Sequence, residues 1–236
     1  MLFLYLELIR SDPLLALRLI ATTVFALLSA VTVHEASHAL IAYWQGDSTA
    51  RMLGRLSLNP IRHLDPVGSL MMLFVGFGWG KPVPVNPYRL KDGVKVGGAL
   101  VSLAGPASNL LTAMVVALPV RLGLIAWHSP LTYSPFSQLS FSWILADVMG
   151  LVVFYNLILA IFNLLPIAPL DGFKVALGVL PNNLAYFFAR LEPYGPGILM
   201  SIILLSYLPM INFSLWDILG PILRVVSLVI VGRALS

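Results

Sequence analysis

The first long apolar stretch of the chain, residues 14–44, reads LLALRLIATTVFALLSAVTVHEASHALIAYW. A helix needs about 20 mainly apolar residues to cross the hydrocarbon core of a bilayer, which is roughly 30 Å thick. This stretch is long enough, and only Arg18 near its start and a polar cluster near its end interrupt it. It therefore predicts a membrane-spanning helix that carries ionisable side chains inside the membrane, close to one face.

The composition of the whole chain also indicates a membrane protein. Among 236 residues, 59% are hydrophobic and 10% are charged, whereas about 25% of the residues of a soluble domain are charged. Intrinsic disorder is excluded because it requires low hydrophobicity, and the lack of cysteine excludes a disulfide scaffold and a cysteine-ligated metal. The net charge of +4 fits basic cytoplasmic loops, so we expect a lipid bilayer and no nucleic acid as a partner.

Four further apolar stretches predict membrane-spanning helices: residues 96–124, 143–165, 197–213 and 216–231. Residues 67–77 are apolar but too short to cross, and they are rich in glycine, so they predict a re-entrant or β-hairpin element covered by protein. We therefore expect an all-α polytopic membrane protein with about five to six transmembrane helices and one such short element. No repeat or long hydrophilic stretch divides the chain, which predicts a single domain over residues 1–236.

The distribution of basic residues predicts the orientation. Between the first and second spans lie Arg51, Arg55, Arg62, Lys81, Arg89, Lys91 and Lys95. Residues 125–142, between the second and third spans, contain no lysine or arginine, and only Arg10 and Arg18 count against the bias. Because basic loops stay in the cytoplasm, the first span is predicted to run inward and to bring its polar end near the cytoplasmic face.

The polar cluster of the first span is His34-Glu35-Ala36-Ser37-His38, an H-E-x-x-H pattern. Positions i and i+4 share one face of a helix, so both imidazoles could bind one Zn²⁺ while Glu35 acts as general base on a zinc-activated water. Ionisable residues inside a membrane span are costly and usually functional, and a shared metal explains three of them together. A structural His–Glu pairing is the alternative.

A catalytic zinc ion takes a third protein ligand besides the water. Residues 163–172 read NLLPIAPLDG, and two prolines there interrupt the third apolar stretch. The segment offers Asp171, although a carboxylate in a cytoplasmic loop is usually just solvated. His63 lies in a basic loop, where hydrogen bonding or solvation is more common than a metal role.

Together, the patterns of residues 34–38 and 163–172 resemble the site-2 protease family of intramembrane zinc metalloproteases. Residues 59–68, 80–87 and 102–109 further resemble its small bacterial members, which lack PDZ and CBS domains, so the resemblance covers roughly residues 30–175. It implies that His34, His38 and Asp171 bind one Zn²⁺, that Glu35 is the catalytic base, and that Asn163 holds the substrate backbone or the oxyanion. Many members carry a second glycine after Leu-Asp-Gly, where this chain has Phe173.

The resemblance implies a zinc metalloendopeptidase that cleaves transmembrane segments of membrane proteins, as in regulated intramembrane proteolysis. Its core would span residues 14–175, with accessory helices at about 196–234, in a prokaryotic inner membrane with the active site toward the cytoplasm. A transmembrane protein would be the substrate, and a membrane partner could regulate the enzyme. A divalent-metal transporter and a catalytically inactive scaffold are the alternatives. Glu35 argues against the transporter, and the complete set of four site residues argues against the scaffold.

Three other features receive an interpretation. The glycine-rich residues 76–80 predict either a strand edge that adds an unwound substrate or a plain flexible turn. Asn109, beside the small residues of the second span, is expected to hydrogen-bond across a helix contact. Asp147 is interpreted as structural, near the start of the third span.

Overall fold

The computed structural model describes residues 2–74, 80–129, 140–208 and 214–233. Within these ranges the chain is helical, and the β structure there is a single antiparallel bridge between Leu64 and Gly80. The helices are α1 (Leu2–Ser11), α2 (Pro13–Trp44), α3 (Thr49–Met52), α4 (Pro66–Phe74), α5 (Gly98–Arg121), α6 (Phe141–Asn163), α7 (Asp171–Val179), α8 (Asn182–Ala189), α9 (Gly195–Tyr207) and α10 (Leu215–Val231). The predicted all-α class is confirmed.

Three helical segments in the described part of the chain are long and apolar enough to cross a membrane. They are α2 (Pro13–Trp44), α5 together with the helical turn before it (Gly93–Arg121), and α6 (Phe141–Asn163). They correspond to the first three predicted spans. Helix α9 has 13 residues and α10 has 17, so at about 1.5 Å per residue each is shorter than the roughly 30 Å core. The predicted total of five to six transmembrane helices therefore stays a prediction.

Local sequence explains where the spanning helices begin and end. Asp12 caps α2 by accepting a 3.0 Å hydrogen bond from the backbone N–H of Leu15, and Pro13 takes the first helical position, where its missing N–H costs nothing. Helix α6 ends at Asn163, three residues before Pro166, which cannot continue a helical hydrogen-bond ladder. Short turns lead from there to α7, which begins at Asp171.

The centre of the molecule is the contact among α2, α5 and α6. Small residues on α2, including Ala26, Ala30 and Ala39, are buried completely or almost so, and small side chains let helices approach closely in a membrane. Between α5 and α6 the core includes Ala113 and Leu157. The outward faces carry exposed apolar side chains, as expected where a helix faces lipid. Helix α2 thus packs against both α5 and α6, and the two histidines near its polar end are buried.

The short element predicted at residues 67–77 is helical where it is described. Helix α4 covers Pro66–Phe74, and Asp65 accepts a 2.8 Å hydrogen bond from the N–H of Gly68 in its first turn. Residues 75–79 lie outside the described part, so the strand edge or turn expected at residues 76–80 stays a prediction, and the β pairing described beside it is the bridge between Leu64 and Gly80. That bridge sets the segment beside α2.

Candidate metal centre

Two imidazoles of α2 and one carboxylate of α7 meet in a buried cluster. The Nε2 atom of His34 lies 3.1 Å from Oδ2 of Asp171, and the Nε2 atom of His38 lies 3.2 Å from the same oxygen. In the described part of the chain, this is the group of histidine and acidic side chains that could hold a metal ion. The structure therefore brings together the three residues that the sequence singles out as ligands.

The far nitrogen of each ring has a partner that fixes the ring. Nδ1 of His38 lies 2.7 Å from the backbone oxygen of Val101, and Nδ1 of His34 lies 2.6 Å from Oδ1 of Asn109. Both oxygens are acceptors, so each Nδ1 carries a hydrogen, and Nε2 is the ring nitrogen left to bind a metal. Metal-binding histidines commonly have such an acceptor on the ring nitrogen that faces away from the metal.

The cluster fits a divalent cation by its chemistry and its spacing. When both Nε2 atoms are deprotonated, two nitrogen lone pairs and a carboxylate oxygen face one another as acceptors, and a cation between them would be attracted by all three. Ligands about 2.1 Å from a tetrahedral zinc ion lie about 3.3 Å from one another, close to the 3.1 and 3.2 Å observed. Two imidazoles and one carboxylate form a ligand set typical of catalytic zinc, which keeps its fourth position open.

Asp171 is ionised at neutral pH. Burial raises the pKa of its carboxyl, but in the metal-free site hydrogen bonds and positive charge from protonated His34 and His38 lower it by more, to about 2. The carboxylate is thus in the form that binds a metal.

Helix α7 is held in place at both ends, which positions Asp171. At Gly172 a Cβ atom would lie 2.2 Å from the carbonyl oxygen of Leu164, so the absence of a side chain allows α7 to pack against the end of α6. At the other end, Nζ of Lys95 donates hydrogen bonds of 2.7 Å to the carbonyl oxygen of Leu180 and 2.8 Å to Oδ1 of Asn182. The approach of Asp171 to α2 is therefore a product of packing.

Glu35 is half-buried and lies beside the single β bridge. A Cβ atom at Gly80 would be 3.5 Å from Oε1 of Glu35, 3.2 Å from the backbone oxygen of His63 and 3.1 Å from Val31. The bridge partner of Gly80 is Leu64. A segment in extended conformation therefore passes the carboxylate of Glu35, one residue along α2 from His34.

Asn163 is the last residue of α6, and its Nδ2 donates a 2.9 Å hydrogen bond to the carbonyl oxygen of Leu159 in the same helix. Because Gly172 packs on Leu164, Asn163 and Asp171 lie at the same end of the helix bundle. The role predicted for Asn163 toward a substrate stays a prediction.

Sequence reasoning missed part of what surrounds the histidines. Asn109 hydrogen-bonds across a helix contact, as expected, by donating to the carbonyl oxygen of Ala30 on α2. The structure adds two partners that the sequence did not identify, His34 on α2 and Asn156 on α6. Asn156 was detectable only as a polar residue in the middle of an apolar span. At Gly105 a Cβ atom would lie 2.4 Å from Nε2 of His38 and 2.6 Å from Cε1 of His34, so the site requires glycine there.

The two remaining histidines lie apart from the cluster. His63 is fully buried, and its Nε2 lies 2.7 Å from the carbonyl oxygen of Ser57. Nδ1 of His128 lies 2.7 Å from Oδ1 of Asp147, which also pairs with Arg18. Asp147, interpreted as structural from the sequence, thus joins two charged or titratable partners.

Comparison with known proteins yields relatives named as zinc metalloproteases. The chain is 37% identical over 204 residues to "Putative zinc metalloprotease YwhC" of Bacillus subtilis (strain 168), covering 86% of this chain and 88% of that protein. It is 32% identical over 152 residues to "Putative zinc metalloprotease Rip2" of Mycobacterium tuberculosis (strain ATCC 25618 / H37Rv), covering 62% of this chain and 52% of that protein. A Rip2 protein of Mycolicibacterium smegmatis (strain ATCC 700084 / mc(2)155) is 33% identical over 153 residues, with the same two coverages.

No family model and no solved structure matches the chain. The likeness to the Bacillus subtilis protein nevertheless extends over most of both sequences. On that likeness and on the two motifs, this chain belongs to the site-2 protease family of zinc metalloproteases.

Proposed function

We propose that this protein is an intramembrane endopeptidase that cleaves transmembrane segments of other membrane proteins. One zinc ion would be held by His34, His38 and Asp171. The observation that carries the proposal is the convergence of three acceptor atoms on one point beside a helix apolar enough to span a membrane.

The position of the motif along α2 supports chemistry within the bilayer. Helix α2 ends at Trp44. With a rise of about 1.5 Å per residue, His38 lies roughly 9 Å and His34 roughly 15 Å before that end. A substrate whose scissile bond reaches this depth is a membrane-embedded segment.

Peptide hydrolysis needs a base, an acid and a polarised carbonyl. When bound, zinc supplies Lewis acidity at the carbonyl and lowers the pKa of water. Glu35 accepts a proton from the attacking water and delivers it to the leaving amine, which is the ordinary double role of a carboxylate in such a site. Asn163, at the end of α6, donates its amide N–H to the substrate backbone or the oxyanion.

The substrate would lie along the segment that contains Gly80. A helical substrate has no free backbone groups, so it must unwind before hydrolysis, and an extended chain can pair with an exposed strand edge. The closeness of Gly80 to Oε1 of Glu35 supports this path. Residues 75–79, which contain most of the proposed edge, lie outside the described part.

The cellular setting completes the proposal. We propose a single-domain, multi-pass protein of a prokaryotic inner membrane, with the metal centre toward the cytoplasm and a membrane partner as regulator. The seven basic residues between the first two spans support this orientation.

The test combines zinc content with cleavage. Wild type and Glu35→Gln are purified in detergent, their zinc is measured by mass spectrometry, and each is offered a panel of model transmembrane substrates. Both should contain about one zinc per chain, because Glu35 is not a ligand, and only wild type should cleave. Equal cleavage by both would contradict the mechanism. Zinc flux into proteoliposomes without cleavage would favour the transporter.

A further inference from the structure

A row of hydrogen-bonded, buried side chains, two of them amides, connects three helices behind the metal centre. Asn156 of α6 and Asn109 of α5 are fully buried, and His34 of α2 is 5% exposed. Oδ1 of Asn109 lies 2.6 Å from Nδ1 of His34, and Nδ2 of Asn109 lies 2.7 Å from Oδ1 of Asn156. Buried amides are costly unless they are fully hydrogen-bonded, so two of them in an apolar bundle require an explanation.

The direction of each hydrogen bond in this row of side chains follows from two backbone carbonyls. Nδ2 of Asn156 donates to the carbonyl oxygen of Val152 at 2.8 Å, and Nδ2 of Asn109 donates to that of Ala30 at 3.0 Å. A backbone carbonyl only accepts, so both amide nitrogens are fixed where they are. Asn156 then presents its oxygen to Asn109, and Asn109 presents its oxygen to His34.

The fixed direction determines the tautomer of the histidine. Since Oδ1 of Asn109 only accepts, Nδ1 of His34 carries a hydrogen, and Nε2, beside Asp171, is the ring nitrogen left to bind a metal. His38 receives the same constraint from the backbone oxygen of Val101, which no side-chain substitution removes. Only the His34 tautomer therefore depends on side chains from two other helices.

We propose that Asn109 and Asn156 are positioning residues that hold His34 in the tautomer and orientation that zinc binding requires. The inference rests on the proposed zinc site. Asn109 acts directly on the ring, while Asn156 acts through Asn109 by accepting a second hydrogen bond from its amide, which holds that amide in place. Removing the outer partner of a metal-binding histidine typically weakens metal affinity about 10- to 100-fold.

Three variants separate positioning from packing. Asn109→Leu removes the acceptor of His34 at similar volume, and Asn156→Leu leaves that acceptor and its bond to Ala30 but removes the second contact that holds the amide. Asn156→Asp is the conservative variant, because a neutral carboxylic acid in a dry interior can donate to Val152 and accept from Asn109. Ser227→Ala is the control, since Ser227 is fully buried and its hydroxyl donates to the backbone carbonyl oxygen of Arg224 on α10.

The first readout is the tautomer in the metal-free protein. Nitrogen NMR of ¹⁵N-histidine-labelled protein distinguishes protonated Nδ1 from protonated Nε2, and a His34→Ala sample assigns the signal. We expect Nδ1 of His34 to be protonated in wild type, Asn156→Asp and Ser227→Ala, to lose its proton in Asn109→Leu, and to shift by less in the same direction in Asn156→Leu. An unchanged His34 signal in Asn109→Leu would overturn the inference.

The second readout is the zinc dissociation constant, measured by competition with a chromogenic chelator. Asn109→Leu should bind zinc about 10- to 100-fold more weakly and Asn156→Leu by a smaller factor, whereas Asn156→Asp and Ser227→Ala should stay within about threefold of wild type. Equal affinity in all variants would overturn the inference while leaving the zinc site standing. Conversely, a wild type that shows the expected tautomers but binds no zinc would refute the proposed function and leave control of the tautomer intact.

Discussion

Substitution of Gly105 by alanine should separate the metal centre from the stability of the fold. The added methyl carbon would lie 2.4 Å from Nε2 of His38 and 2.6 Å from Cε1 of His34. Ordinary contacts of this kind are about 3.5 Å or longer, so the two rings must move by about 1 Å. Both rings are held from behind by α5 itself, through Val101 and Asn109, and they have little freedom to retreat.

The expected magnitudes differ for stability and for activity. Overpacking costs about 1–3 kcal/mol, but alanine is favoured over glycine inside a helix by roughly 0.5–1 kcal/mol. The free energy of unfolding should therefore fall by no more than about 2.5 kcal/mol. A displacement of about 1 Å at reacting groups can cost about 100-fold in rate, and the zinc ligands themselves are displaced here.

The assay compares Gly105→Ala with Gly98→Ala in the same helix. A Cβ atom at Gly98 meets nothing within 4 Å, so this control should be as stable as wild type or slightly more so. We expect Gly105→Ala to lose at least about 100-fold in cleavage and to bind zinc more weakly, while its thermal unfolding stays cooperative. Wild-type zinc affinity and cleavage in Gly105→Ala would refute the geometry of the two histidines.

Three further predictions concern the surroundings of the site. Treatment with a zinc chelator should abolish cleavage, and Zn²⁺ but not Mg²⁺ should restore it, because Mg²⁺ prefers oxygen ligands; restoration by Mg²⁺ would contradict the ligand set. Lys95→Met should lower cleavage by about tenfold by loosening α7, and unchanged kinetics would show that the Lys95 bonds do not position Asp171. Burial raises the pKa of Asp47, but hydrogen bonds from Thr49 and from the N–H of Asn86 lower it by more. The ionised carboxylate of Asp47 therefore stabilises the folded protein fully above the unfolded pKa of about 3.9. This stabilisation is lost as pH falls through the lower pKa of the folded state. Asp47→Asn should therefore be about 1–3 kcal/mol less stable at pH 7, and its unfolding free energy in chemical denaturation should fall less in acid than that of wild type. Parallel profiles of unfolding free energy against pH for the two proteins would contradict this.

The features that depend on local pattern could be predicted from the sequence. The long apolar run predicts the first span, and helical geometry alone places His34 and His38, four residues apart, on one face. The end of α6 was predicted from Pro166 and Pro169. These inferences need no knowledge of which helices are neighbours, and the structure agrees with each of them.

The features that depend on tertiary packing could not be predicted in the same way. The approach of Asp171 was implied only by family resemblance, because it requires Gly172 to pack on Leu164 and Lys95 to reach the end of α7. Asn109 and Asn156 are 47 positions apart on different helices. A polar residue in an apolar span indicates that some partner exists, but the sequence contains no information about which atom it meets.

Arg18 shows how such packing resolves a conflict within the sequence. A basic residue near the outer end of the first span argues against the orientation that the loops indicate. In the structure Arg18 pairs with Asp147 of α6, whose other oxygen lies 2.7 Å from Nδ1 of His128. The side chain of Asp147 is 1% exposed and that of Arg18 is 12% exposed, so the charge of Arg18 is offset inside the protein and need not be placed in the cytoplasm. Asp147→Asn should weaken that pairing and destabilise the contact between α2 and α6, because a buried guanidinium without its counter-charge is costly. A double variant that also carries Arg18→Met should recover much of the lost stability in detergent, and a double variant less stable than Asp147→Asn alone would contradict a paired role for the two residues.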